Sequence, residues 1–79
     1  MIKVLFFGPV ADRVGSSMLQ AEHRLGMSLQ TLRDELAAQH PHAFDIVCLA
    51  AVNGEHVRDM SQVLADNSEV AFMAKFSGG

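Results

Sequence analysis

From Met1 to Gly8 the chain is β-rich and apolar on both alternation phases, running Ile2-Lys3-Val4-Leu5-Phe6-Phe7. That is the pattern of a central strand covered by neighbours on both edges. Gly8-Pro9 ends it, because proline has no N–H to give a ladder, and a loop through Asp12, Arg13 and Gly15 is expected. Ser17 to Arg24 sets Met18, Gln20, Glu22 and Arg24 against Leu19, Ala21 and His23, a period-two alternation that predicts a second strand. The period then changes. Leu29, Leu32 and Leu36, helped by Ala37, share one helical face and leave Gln30, Arg33 and Asp34 for solvent. Ser28 can cap that helix and Met27 can pack on Leu32 as a staple, while Pro41 disfavours helical geometry in the residue before it, so the helix is predicted over Leu29 to Gln39.

Val47 to Val52 predicts a third strand. Asn53-Gly54 is a strong two-residue hairpin signal, since both positions must reach positive φ, and Glu55 to Val57 returns. Leu64 and Ala65 lead into the turn-rich Asp66-Asn67-Ser68, after which Glu69 to Phe76 reads as a fifth strand. The order strand, strand, helix, strand, strand, strand is that of an α+β layer, a mixed sheet of about five strands with one main helix on one face. The β-grasp arrangement, in which the first and last strands lie parallel and adjacent in the middle of the sheet, fits it best. Residues 1–76 would form this domain and residues 77–79, Ser-Gly-Gly, a flexible tail.

Pairing the terminal strands separates two faces. Ile2, Val4 and Phe6 fall with Val70 and Phe72 and are assigned to the helix side, where each large apolar side chain fully buried contributes roughly 1.5–3 kcal/mol. The second face carries Lys3, Leu5 and Phe7 beside Glu69, Ala71, Met73 and Lys75. A single helix leaves it without a cover, and an apolar patch rimmed by charge suits a partner; the alternative is that the segment near Phe44 folds over it.

Size limits the chemistry. A chain of 79 residues buries roughly 60% of the surface its unfolded form exposes, which leaves little room for an enclosed catalytic cavity, so chemistry is expected on an edge, a tail or a partner. With 49% hydrophobic and 19% charged residues the composition is that of a folded domain, not a disordered one. Lys and Arg are dispersed within a net charge of −3, so no basic stripe for nucleic acid exists. No run approaches the roughly 20 apolar residues of a membrane helix, and the apolar start reads as a strand, not a signal peptide; a cytoplasmic protein is expected.

Cys48 stands alone, so no internal disulfide or thiolate-bound cluster can form, and its apolar surroundings predict a buried thiol acting as a small hydrophobe. His40 and His42 flank Pro41 in a spacing that could hold a metal, but no third ligand is near and a solvated loop is expected. His23 should be exposed on an edge strand, and His56, after the hairpin, could touch a partner. No metal or bound cofactor is expected, and without a glycine-rich phosphate loop ATP should bind elsewhere.

The terminal Gly78-Gly79 is a poor way to stabilise a domain, because glycine loses the most conformational freedom on ordering. A chain end without side chains can instead thread a narrow channel and present its carboxylate inside another protein. Alone, two glycines read better as a frayed terminus or a remnant of cloning; their place directly after a fifth strand of this fold changes the reading.

Met1-Ile2-Lys3-Val4-Leu5-Phe6-Phe7-Gly8, Leu49-Ala50-Ala51-Val52-Asn53-Gly54, Asp66-Asn67-Ser68-Glu69-Val70-Ala71-Phe72 and Gly78-Gly79 together resemble the small subunit of molybdopterin synthase, over essentially the whole chain. The sulfur carrier of thiamine biosynthesis is similar in fold, and usually shorter between the helix and the third strand. The resemblance implies that Gly79, with Gly78, is adenylated at its carboxylate by a ubiquitin-activating-like adenylyltransferase using ATP. A sulfur donor protein then converts it to a thiocarboxylate. In the large catalytic subunit that group would donate sulfur to a pyranopterin precursor, with Phe7, Met73, Lys75, Phe76 and Ser77 as partner-binding residues. On this reading the chain is a shuttle and not an enzyme on its own; the alternatives are a carrier for thiamine or another sulfur metabolite, or a non-reacting ubiquitin-like module. Two departures stand out: Ala11-Asp12-Arg13 replaces the family's usual Arg-Glu pair, and Ala74-Lys75 its usual two prolines.

Overall fold

The structure, a computed structural model, describes residues 1–75. Its five strands are β1 (Ile2–Phe6), β2 (Met18–Ala21), β3 (Val47–Val52), β4 (Glu55–Val57) and β5 (Glu69–Ala74). They form one mixed sheet in the order β2-β1-β5-β3-β4. β1 and β5 are parallel, with Val4 opposite Val70 and Phe6 opposite Phe72, and every other pairing is antiparallel. This is the β-grasp arrangement that the apolar terminal strands predict.

Three helices, α1 (Pro9–Val14), α2 (Leu29–Gln39) and α3 (Pro41–Phe44), are present among the described residues, where the pattern predicts one. α1 replaces the expected loop through Asp12, Arg13 and Gly15. Pro9 stops β1 and also occupies the first helical turn, where its missing N–H is no loss. Gly15, at φ 87°, ends the helix and donates its N–H to the Ala11 carbonyl at 2.8 Å. Pro41 likewise closes α2 and opens α3.

All three helices share one core with the inner face of the sheet. Val10, Leu29, Leu32, Leu36, Ala43 and Phe44 are buried with Ile2, Val4, Phe6, Val70 and Phe72. Phe44 stands edge-on to Phe72 at 5.1 Å and to Phe6 at 6.2 Å. The alternative in which its segment covers the second face is therefore overturned: Phe44 is pinned on the helix side by the aromatic cluster.

The start of α2 has a full hydrogen-bond account. Thr31 donates its N–H to Ser28 Oγ at 3.1 Å, and Leu29 and Gln30 donate theirs to the carbonyls of Gln62 (2.9 Å) and Met60 (2.8 Å). The loop before β5 thus braces the helix, and Leu64 is buried beside it, its N–H bonded to the Met27 carbonyl at 2.8 Å. Ser28→Ala should lower stability by about 1 kcal/mol, read as a smaller urea midpoint at unchanged slope. The loss is held to that size because the loop still satisfies two of the donors.

Asn53 and Gly54 take φ of 50° and 85°, as the hairpin signal requires. Asn53 adds a tie that the motif does not announce: its Oδ1 accepts from the Glu69 N–H at 2.9 Å, and its own N–H donates to the Glu69 carbonyl at 2.7 Å. Beside it, at the start of β1, the N-terminal ammonium lies 2.6 Å from Asp66 Oδ1. That hydrogen bond is the chief reason the Asp66 carboxyl sits below its ordinary range, and the Asn67 N–H adds to it.

Three residue placements depart from expectation. Cys48 is exposed, because β3 is irregular between Val47 and Leu49 and β4 pairs only as far as Ala50, leaving that end of the strand uncovered. His23 lies beyond β2 and is partly buried, donating from Nε2 to the Leu64 carbonyl at 2.9 Å. β5 ends at Ala74, where its last partner is Val47; beyond that pair the neighbouring chain turns into α3, so Lys75 lies past the ladder. Phe76, predicted to belong to this strand, lies outside the described residues.

Candidate functional site

The outer face of the sheet follows from the register. Burial of Val4 and Phe6, Val70 and Phe72, and Ala50 and Val52 on the helix side turns Leu5, Ala71, Met73, Leu49 and Ala51 to the other. Leu5 stands between Met18 and Ala71, Ala71 next to Ala51, and Met73 opposite Leu49. Among the described residues no helix lies over them. Leu49 is 41% and Met18 47% exposed, large fractions for apolar side chains this close together, so the face carries unspent hydrophobic surface.

Charge lies at both margins, with the exposed Lys75 past the end of β5 and an ion pair at the start of β1 and β5. Lys3 and Glu69 pair across the parallel strands at 3.8 Å, both half exposed, a geometry that contributes little stability but gives the patch a polar edge.

The direction of the strands decides which of the expected site residues come together. Because β1 and β5 run parallel with Phe6 opposite Phe72, the residue that follows β1, Phe7, and the end of β5 lie at the same end of the sheet. Phe7 is 46% exposed there, and Met73 and the exposed Lys75 are near it in register. β3 adds Leu49 directly opposite Met73. Sequence reasoning missed Leu49 and Met18. The signal for Leu49 is its alternation phase, opposite to that of Ala50 and Val52, which becomes informative only once β3 is known to neighbour β5.

Phe76, Ser77, Gly78 and Gly79, the remaining expected site residues, lie outside the described residues. What the structure supplies is their point of departure: the chain leaves the sheet at Ala74, at the Phe7, Leu49 and Met73 end of the outer face. The arrangement is suited to hold a partner's apolar surface against the sheet beside the point where the chain leaves it.

His40 joins α2 to α3 and His42 lies exposed in α3 with its carbonyl accepting from Arg13 at 2.9 Å. Among the described residues no three His, Cys, Asp or Glu side chains gather as a metal site, and no helix is long and apolar enough to cross a membrane. His56 stands in β4 opposite Ala51 and is exposed.

The model of the ThiS family matches residues 4–79. No curated protein sequence matches the chain. Among solved structures, SAMP1 from Haloferax volcanii is 21% identical with a TM-score of 0.82, over 99% of this chain and 98% of that one. A putative molybdopterin converting factor subunit 1 from Pyrococcus furiosus is 21% identical with a TM-score of 0.83, over 95% and 97% of the two chains. A chain from a complex of subunits 1 and 2 of the molybdopterin-converting factor of Helicobacter pylori is 22% identical with a TM-score of 0.73, over 99% and 97%. At these identities the likeness is one of fold.

Proposed function

The chain belongs to the ThiS family, and on that footing we propose that it carries sulfur on its terminal glycine, as the small subunit of a molybdopterin synthase. Its fold is that of the ubiquitin-like sulfur carriers. The observation that carries the reading is the family match over residues 4–79, which takes in Gly78-Gly79, joined to a β5 that leaves the sheet beside an uncovered apolar face. Residues 1–76 act as the domain and 77–79 as the working tail.

The Gly79 carboxylate attacks the α-phosphate of ATP on an activating adenylyltransferase, releasing pyrophosphate and leaving an acyl adenylate. The terminal sulfur of a donor's persulfide displaces AMP, and a thiol cleaves the resulting acyl disulfide to free the thiocarboxylate. This soft nucleophile then attacks a carbon of the pyranopterin precursor in the large subunit and displaces an oxygen substituent. Hydrolysis of the resulting thioester leaves the sulfur on the acceptor and regenerates the Gly79 carboxylate. The glycines, lacking side chains, let the end thread a narrow channel. This chain's contribution is position: Leu5, Met18, Leu49, Ala71 and Met73 seat the partner, Phe7 and Lys75 mark the exit, and Phe76 and Ser77 lead into the channel. The solved complex of the two Helicobacter pylori subunits supports the choice of a large-subunit partner, and a cytoplasmic location suits the partners invoked.

Incubation with an activating enzyme, ATP and a persulfide donor, followed by intact-mass measurement, should show the gain of one oxygen-to-sulfur exchange. An unchanged mass would sink every carrier reading. Supplying the thiocarboxylate form to a large subunit and the pyranopterin precursor should yield dithiolene; its absence would move the sulfur to another acceptor.

Met73→Glu or Leu49→Asp should weaken large-subunit binding by about 2 kcal/mol or more with little change in melting temperature, as titration calorimetry and thermal melts would read. Normal binding by an easily unfolded variant would contradict the assignment of the outer face.

A further inference from the structure

Between α2 and the edge where β3 runs past β4 lies a cleft of about 510 Å³, a volume in the range of small-molecule sites, roughly 300–1,000 Å³. The chain has six Lys and Arg residues and a net charge of −3. Lys3 and Arg24 are paired with Glu69 and Glu35, Arg13 donates to the His42 carbonyl, and Lys75 is exposed past the end of β5. Arg33 and Arg58 have no carboxylate within ion-pair distance among the described residues, and both line this cleft together with His56, with no Asp or Glu in its walls. An acidic chain has thus placed two uncompensated guanidinium groups around one cavity.

Arg33 is held there without a counter-charge. Its guanidinium carbon sits 5.8 Å from the centre of the Phe44 ring, a cation–π contact that orients the group while leaving its N–H donors available. The floor is apolar, formed by Val57, Met60 and Phe72. The wall from Val47 to Leu49 has no β4 partner, so its backbone edge is open on that side.

Two planar forks beside an apolar floor match a multiply charged oxyanion on a flat apolar body, because guanidinium engages phosphate oxygens bidentately. We propose that this cleft binds a small phosphate monoester carried on an aromatic ring system. The cleft borders the outer face at Leu49, and its test, ligand binding by the chain alone, is separate from sulfur acceptance.

The test is an amide NMR titration of the isotope-labelled chain with AMP as the probe, and with adenosine and inorganic phosphate as its two fragments. AMP should give saturable shifts at Arg33, at residues 47–50 and at residues 56–58, and should bind at least about tenfold more tightly than either fragment. Arg58→Glu, at an exposed position, and Arg33→Gln should each weaken AMP by about tenfold, with the rest of the spectrum keeping its native dispersion. Arg24→Gln, on the opposite side of α2, should bind as the parent does. Absence of saturable shifts, unchanged binding by the Arg33 and Arg58 variants, or a fragment that binds as tightly as AMP would each overturn the proposal.

Discussion

Removing Gly79 is expected to abolish sulfur acceptance completely while the melting temperature stays within a degree or so, on the order of the few tenths of a kcal/mol typical of changes away from packed or capped positions. The reasoning starts from the core. Every buried residue among those described lies at or before Ala74, and the last ladder pair is Val47 with Ala74. The chemistry proposed needs the carboxylate of a side-chain-free residue at the end of the tail, and a chain ending at Gly78 presents it one residue, about 3.3–3.6 Å, short. A misplacement of even about 1 Å can cost on the order of a hundredfold in rate, so the adenylation step should fail outright. Intact-mass measurement after incubation with activating enzyme, ATP and donor, together with a thermal melt, reads both quantities. A large drop in stability would assign the tail a structural role, and retained sulfur acceptance would move the chemistry off Gly79.

Phe72→Ala should do the reverse. Phe72 is fully buried, stacks 6.4 Å from Phe6 and meets Phe44 edge-on at 5.1 Å. It therefore holds the sheet centre, the end of β1 and α3 together at once. Truncating a buried Phe costs about 3–5 kcal/mol, a large part of the roughly 5–15 kcal/mol that holds a domain together, and each kcal/mol shifts the melting point of a chain this size by roughly 4–8 °C. The expected fall is therefore at least about 12 °C. Phe72→Leu should recover most of it, since the leucine keeps much of the apolar volume. Below its lowered melting point the alanine variant should still accept sulfur, because its tail is intact. Loss of less than about 1 kcal/mol would mean that the aromatic cluster is not the keystone of the core.

Much of this was legible from local pattern. The α2 boundaries, the cap at Ser28, the hairpin at Asn53-Gly54, and the division of β1 and β5 into inward Val4, Phe6, Val70 and Phe72 all follow from periodicity and turn chemistry, which act over a few residues. What stayed hidden depends on partners far away in sequence. Gly8-Pro9 reads equally as the end of a strand or the first turn of a helix, and only the packing of Val10 into the core selects α1. The exposure of Cys48 comes from the shortness of β4 and an irregularity in β3, neither of which leaves a mark on the residues around the thiol. His23 is drawn inward by a carbonyl 41 residues away.

The candidate site divides along the same line. The amino-acid order determined that an apolar strand carrying Met73 is followed by Lys75 and, at the end, two glycines, because alternation and the absence of side chains are properties of neighbouring residues. It also determined that Leu5 and Met73 share a sheet face once β1 and β5 pair. Only the tertiary structure decided that all three helices crowd the opposite face, that Leu49 and Met18 complete the apolar surface, and that Arg33 and Arg58 meet around one cleft. Those outcomes depend on strand order and register, which are settled by the mutual burial of residues too far apart along the chain for any local pattern to pair them.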